Sequence, residues 1–122
     1  MYNEKLSQYL FKAINDNNLS KVSYILNLGV DTSIRDGFGS SALFRAVSIS
    51  NLEIVKELVF RGIDVDYGDV WNTTPLMKAV ENGNLEMLKI LLLFGGDVNK
   101  KDNNNLTPLM YAVNKRKLLL SF

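Results

Sequence analysis

Two nearly identical heptads stand 33 residues apart in this sequence, TPLMKAV at 74–80 and TPLMYAV at 107–113. The same step of 33 connects positions along the whole chain, and each set of positions related by this step is called a column here. Five columns hold one residue type: Ala13, Ala46, Ala79 and Ala112; Leu10, Leu43, Leu76 and Leu109; Leu19, Leu52, Leu85 and Leu118; Gly29, Gly62 and Gly95; Asp36, Asp69 and Asp102. A fixed period of this length indicates a repeat protein, with three nearly full units and a shortened fourth.

Within each unit the apolar residues follow a helical spacing that is interrupted once. In the second unit the spacing begins at Leu43 and resumes at Leu52 after a polar break. This pattern predicts two short amphipathic helices per unit. Ser41 and Thr74 are suited to cap the first helix, and the second helix is predicted to end before a glycine such as Gly62.

The segments between helix pairs are rich in Asp, Asn and Gly, which are turn-forming residues. Gly39, Asn72 and Asn105 share one column, and all three residue types tolerate a positive φ angle. The sequence therefore predicts a turn or hairpin loop between each helix pair and the next.

A 33-residue unit made of a turn and two helices, with T-P-L-x-x-A opening the first helix, resembles the ankyrin repeat. The resemblance rests on TPLMKAVENGNLEMLKILLLFGGDVN at 74–99, SALFRAVSISNLEIVKELVFRGIDVD at 41–66, YLFKAINDNNLSKVSYILNLGVD at 9–31 and TPLMYAVNKRKLLLSF at 107–122. It implies an all-α ankyrin-repeat solenoid of stacked helix-turn-helix units joined by hairpin-like loops. We expect a single domain over 1–122, with units at about 3–35, 36–68, 69–101 and 102–122.

The sequence departs from the family pattern at two places. Where the family has His in T-P-L-H, this chain has Phe11, Phe44, Met77 and Met110, so we expect apolar packing to replace the imidazole hydrogen bonds. The fourth unit ends at Phe122, five residues into its expected second helix. The segment LLLSF therefore folds back over the last stack, pairs with another molecule, or is the edge of a longer array.

Composition excludes several kinds of chemistry. The chain has no Cys and no His, which rules out Cys and His nucleophile–base systems and Cys- or His-ligated metals. The remaining acids that recur with the period, such as Asp36 and Asp69, are typical of loop-bracing residues and not of a unique catalytic pair. We therefore predict no enzymatic activity, no cofactor and no metal.

Charge and hydropathy give further expectations. The formal net charge is +1, so no overall field favours nucleic acid or an anionic membrane as a partner. The amino terminus carries Glu4 and Lys5 where a signal peptide needs an apolar stretch, and the most apolar run, ILLLFGG at 90–96, is far shorter than the roughly 20 residues of a membrane span. The predicted location is cytoplasmic or otherwise intracellular.

In the ankyrin family the loop tips and the exposed side of the first helices form a concave surface that binds other proteins. Carried over position by position, the resemblance implies these candidate partner-binding residues: Arg35, Phe38, Arg45, Ile49, Tyr67, Val70, Trp71, Lys78, Asn82 and Asn104. Phe38 and Trp71 share a column, and aromatic residues on a rigid scaffold often dominate binding energy. The alternative is that each ring folds over its neighbouring loop, with Tyr67 nearby, as a small cluster that closes the stack.

Two interpretations of the charged residues stay open. Lys12, Arg45 and Lys78 form a basic column that could meet acidic side chains of a partner, or they belong to a solvated face of mixed charge. The predicted function is a non-catalytic protein–protein interaction module. The alternative is self-association, as a homodimer formed through Leu118, Leu119, Leu120 and Phe122.

Overall fold

The computed structural model describes the backbone of residues 2–120 and the side chains of residues 4–116. Over the described backbone the elements are all helical: α1 Tyr2–Asn15, α2 Leu19–Asn27, α3 Ala42–Ser48, α4 Leu52–Phe60, α5 Pro75–Asn82, α6 Leu85–Leu93 and α7 Pro108–Leu120. The predicted all-α class is confirmed.

The helices form two layers. Helices α1, α3, α5 and α7 pack side by side in one row, and α2, α4 and α6 pack in a second row behind them. Each second-row helix follows its first-row partner after two or three residues, whereas a longer loop leads to the next pair. The molecule is therefore a solenoid of helix pairs, as predicted from the period.

Side chains at the start of each helix explain why the helices begin where they do. Ser41 caps α3 and Thr74 caps α5 by accepting a backbone N–H of the first turn, as predicted. The second-row helices are capped by a column that the sequence analysis did not single out, formed by Asn18, Asn51 and Asn84. Each of these side chains accepts the N–H of the residue three positions later, at 3.0–3.1 Å.

The core lies between the two layers and follows the columns. Leu10, Leu43 and Leu76 are at most 2% exposed, and the small residues of the Ala column let the first-row helices approach closely. The helices are too short to be stable alone in water, so burial of these columns between neighbouring units stabilises the fold.

The predicted loop conformations are confirmed. The left-handed φ angles of Gly39, Asn72 and Asn105 are 80°, 59° and 64°, and those of Gly29, Gly62 and Gly95, which follow the second-row helices, are 82°, 82° and 90°. Glycine, and to a lesser degree asparagine, adopts this region with little strain.

The apolar residues that stand in place of the family's His are buried in three units. Phe11, Phe44 and Met77 lie in the interior, and the sulfur of Met77 also accepts the backbone N–H of Thr74 at 3.3 Å. The expectation of apolar packing holds for these three. It is wrong for Met110, which is exposed because nothing in the described chain packs beyond α7.

The predicted second helix of the fourth unit does not form. Instead, α7 runs without a break from Pro108 to Leu120. In the earlier units the chain reverses at Asn17, Ser50 or Gly83, each of which has a left-handed φ angle. The same column holds Arg116, a good helix former, so the helix continues through it.

Candidate interaction surface

Each hairpin loop is braced by the aspartate that opens it. One carboxylate oxygen of Asp36, Asp69 and Asp102 accepts two backbone N–H groups, from the residues two and four positions later, at 2.8–3.0 Å. This arrangement fixes the loop backbone and the direction in which its tip side chains leave it. The predicted loop-bracing role of this column is confirmed.

The first, second and third loops are those between α2 and α3, between α4 and α5, and between α6 and α7. Arg35 connects the first loop to the second. Its guanidinium donates to the carbonyl oxygens of Gly39, at 2.5 Å, and Gly68, at 3.0 Å, and lies 4.3 Å from the ring centre of Tyr67. The hydroxyl of Ser41 donates to the carbonyl of Tyr67. Arg35 and Tyr67 are both half-buried, so these two candidate residues hold the loops together within the stack.

The loop tips expose apolar side chains. Phe38 is 80% exposed and Trp71, in the same column, is 66% exposed, with Val70 half-exposed beside it. Asn104 is the third member of the column and is exposed as well. Because both rings are largely exposed, neither is folded down into a closed cluster with Tyr67, whose ring lies against the Arg35 guanidinium.

The basic column is paired with acids of its own units. Lys12 lies 3.2 Å from Asp16 and Lys78 lies 3.6 Å from Glu81. Arg45 makes the most buried of these pairs, 3.2 Å from Asp36, and its guanidinium also lies 5.3 Å from the ring centre of Phe38. The positive charge of the column is therefore offset locally in each unit.

In the fourth unit the position equivalent to Arg45 is taken by Tyr111, whose hydroxyl donates to the carboxylate of Asp102. Burial together with this hydrogen bond raises the pKa of Tyr111 to about 12. Burial alone would raise the pKa of Asp102, but the hydrogen bonds from Tyr111 and from the backbone of Leu106 and Asn104 outweigh it and lower that pKa.

The last two candidate residues lie at the end of the first-row helices. Ile49 is half-buried and packs against the core at the end of α3. Asn82 is exposed, and its side chain donates to the carbonyl of Val47 in the preceding unit at 3.4 Å. Ile49 thus contributes little free surface, whereas Asn82 lies on the surface and also connects α5 to α3.

Hollows lie between the loop tips and the first-row helices. One, of about 730 Å³, separates α1 from the first loop and is called the N-terminal hollow here; its walls include Gln8, Lys12 and Phe38. A second, of about 380 Å³, lies between α5, the third loop and α7, beside Glu81 and Tyr111. The loop tips and the exposed side of the first-row helices together form what we call the loop-tip surface.

The C-terminal end of the stack exposes apolar residues, one of which is buried in every other unit. Leu109 on α7 is 71% exposed, although its equivalents Leu10, Leu43 and Leu76 are at most 2% exposed. Leu85 on α6 and Val113 on α7 are exposed as well. The side chains of Leu118, Leu119, Leu120 and Phe122, through which a homodimer was predicted, lie outside the described residues.

A stack of helix pairs with braced loops along one edge defines a helical-repeat scaffold. Comparison with known families agrees, because a family model described as ankyrin repeats (3 copies) matches residues 10–102 and 66–121. The chain belongs to the ankyrin-repeat family, whose members are typically protein–protein interaction modules without catalysis. A search of curated proteins gave no match. Within residues 2–120, no helix has the length and apolar character that crossing a bilayer requires.

Proposed function

We propose that this protein binds a partner protein through its loop-tip surface and performs no chemistry on it. The observation that carries the proposal is the exposure of Phe38 and Trp71 in one column, on loops whose backbone is held by Asp36 and Asp69. Large aromatic side chains have few rotatable bonds, so on a backbone that is already held they lose little conformational entropy on binding and are effective anchors for a partner.

The acids of the surface support the non-catalytic part of the proposal. The carboxylate of Asp36 accepts hydrogen bonds from the loop backbone and from Arg45. The carboxylate of Asp102 accepts hydrogen bonds from the loop backbone and from Tyr111. A general acid or base needs a group that is free to exchange a proton with a substrate. These carboxylates are instead committed to holding the scaffold.

The test compares two single substitutions of exposed apolar residues. A partner captured from cells of the source organism is purified, and its affinity is measured for the wild-type chain, Trp71→Ala and Leu93→Ala. Leu93 is 77% exposed and lies at the end of α6, away from the loop tips. Trp71→Ala should lower the affinity by roughly 2 kcal/mol or more, whereas Leu93→Ala should leave it unchanged.

Circular dichroism and thermal unfolding of each variant accompany the binding measurement. Because the ring of Trp71 is exposed, we expect its removal to leave the helical signal and the melting cooperativity intact. Equal loss of affinity in both variants would contradict binding at the loop tips. If Trp71→Ala unfolds, the ring of Trp71 stabilises the stack of repeats.

A second candidate function is self-association through the C-terminal end of the stack. It is favoured by the exposure of Leu109 and Val113 on α7 and of Leu85 on α6, three apolar side chains at the end of the stack that we call the apolar face. Such a face is stabilised when a second apolar surface covers it. The sedimentation experiment that tests this function is described in the Discussion.

A further inference from the structure

The N-terminal hollow takes part of its lining from residues that precede the first repeated position. Helices α3 and α5 begin at Ala42 and Pro75, and the equivalent position in the first unit is Tyr9. Helix α1 begins instead at Tyr2, so residues 2–8 add about two helical turns that no other unit has. Glu4, Ser7 and Gln8 on these turns line the hollow opposite the first loop.

The apolar parts of the hollow come from both of its walls. Phe11 lies on α1 and is nearly buried, whereas Ile34 and Phe38 come from the first loop. Phe38 is the most exposed of the three, and an exposed aromatic ring offers a surface for stacking or edge-to-face packing with another ring. The volume of about 730 Å³ falls within the range of small-ligand pockets, roughly 300–1,000 Å³.

The charges around the hollow leave no excess of positive charge. Lys12 is paired with Asp16, and Asp36 is paired with Arg45. Arg35 is held by two loop carbonyl oxygens. Glu4 also lines the hollow, and it forms no ion pair among the described side chains. An acidic group entering here would meet Glu4, and the two cations that line the hollow are already engaged, Lys12 by Asp16 and Arg35 by carbonyl oxygens.

Polar side chains that carry no charge complete the lining. Gln8 and Asn15 line the hollow from α1, and the amide of each can both donate and accept a hydrogen bond. A side chain with an apolar body and a polar tip therefore matches both parts of the lining. Tyr and Trp have this character.

We propose that the N-terminal hollow receives one aromatic side chain with a polar tip, Tyr or Trp, carried on a neutral or basic segment of the partner protein. This inference rests on the proposed function of the loop-tip surface and makes it specific. It assigns recognition to the hollow of that surface that the α1 extension helps to line, and it predicts that an acidic partner is disfavoured.

The experiment uses the whole chain and defined probes. Backbone amide shifts are followed by NMR during titration with N-acetyl-tryptophanamide, N-acetyl-tyrosinamide and the corresponding Asp amide, each up to millimolar concentration. The aromatic probes should shift the amides of Gln8, Gly37 and Phe38, and the Asp probe should leave them unchanged. In Phe38→Ala, whose lost ring was exposed, the response to the aromatic probes should fall at least tenfold.

Trp71→Ala is the matched control, since Trp71 is an exposed aromatic residue of the same column that does not line the hollow. Its response to the probes should equal that of the wild type. The inference is overturned if no aromatic probe shifts these amides, if the Asp probe shifts them equally, or if the shifts appear only at the apolar groove beside Gly83 and Arg116.

The experiments distinguish a failure of this inference from a failure of the proposed function. If Trp71→Ala weakens binding of the captured partner but no aromatic probe enters the hollow, the proposed function stands. The proposal that the hollow receives an aromatic side chain is then wrong. The other outcome is that the probes bind in the hollow but neither Trp71→Ala nor Phe38→Ala changes the affinity for the captured partner. The loop-tip surface is then not the partner site. This result overturns the proposed function, and with it the role of the hollow in binding the partner.

Discussion

The side chain of Val70 packs directly on the backbone of Gly39, so that the tip of the second loop rests on the first. A Cβ atom added to Gly39 would lie 2.1 Å from Cγ1 of Val70, far inside van der Waals contact. Gly39 also has a φ angle of 80°, which other L-residues adopt with strain. Two independent constraints therefore favour glycine at this position.

Gly39→Ala should lower the free energy of unfolding by roughly 1–3 kcal/mol, because it adds both backbone strain and a clash with Val70. The measurement is urea unfolding followed by circular dichroism. Gly37→Ala, two residues earlier, is the control, since a Cβ there meets nothing within 4 Å and its φ angle is not left-handed. Equal destabilisation by the two substitutions would contradict this account of the loop contact.

A second prediction concerns Asn51, which has two structural roles. Its carbonyl oxygen caps α4 by accepting the N–H of Ile54, and its amide donates to the side chain of Asn17 in the preceding unit at 3.0 Å. Asn51→Ala removes both and should cost roughly 2 kcal/mol of stability, whereas Asn84→Ala removes only a cap and should cost about 1 kcal/mol.

Asn51→Asp separates the two roles. The carboxylate still caps the helix and carries a charge that is favourable near a helix N-terminus, but it has no N–H to donate to Asn17. Its stability, measured by urea unfolding, should lie between those of the wild type and Asn51→Ala. If Asn51→Ala and Asn84→Ala prove equally destabilising, the hydrogen bond between units makes no net contribution.

The period explains why so much of the fold could be predicted from the sequence. Each column is observed three or four times, so that a residue type needed for a cap or a left-handed φ angle recurs visibly, as Gly39 and Asn72 do. The capping column of Asn18, Asn51 and Asn84 carried the same signal and was overlooked. Recurrence at the period could have identified it.

The features that could not be predicted lie outside the columns, or in columns whose members differ in residue type or in the partners of their side chains. The extension of α1 over residues 2–8 precedes the first repeated position, so no comparison between units reveals the hollow beside it. The ion pairs of Lys12, Arg45 and Lys78 depend on side-chain rotamers and on different partners in each unit. Arg116 occupies the column in which the other units have a turn-forming residue, so the last unit forms one continuous helix.

The raised pKa of Tyr111 makes a third prediction, on alkaline stability. Because the pKa is about 12 in the folded chain and 10.0 ordinarily, the contribution of this group to stability is fully present below pH 10 and is lost as the pH rises towards 12. Tyr111→Phe should therefore be less stable than the wild type by roughly 1 kcal/mol at neutral pH, and this difference should shrink above pH 10.

Urea unfolding at a series of pH values from 7 to about 11 measures this difference. Tyr24→Phe is the control, since Tyr24 is exposed on α2 and substitution there should have no effect at any pH. A constant difference between the wild type and Tyr111→Phe up to the highest pH would show that the pKa of Tyr111 is not raised in the folded chain.

The last prediction concerns the apolar face at the C-terminal end of the stack. If this face is covered by a second copy of the chain, sedimentation across a concentration series should show a dimer that Leu109→Glu converts to a monomer, because a charge would then be buried at the interface. Leu93→Glu, an equally exposed position at the end of α6, should leave the dimer intact. Leu109→Glu should not unfold the monomer, since Leu109 is already exposed there. A wild-type chain that is monomeric at every concentration would exclude self-association and leave the loop-tip surface as the site of binding.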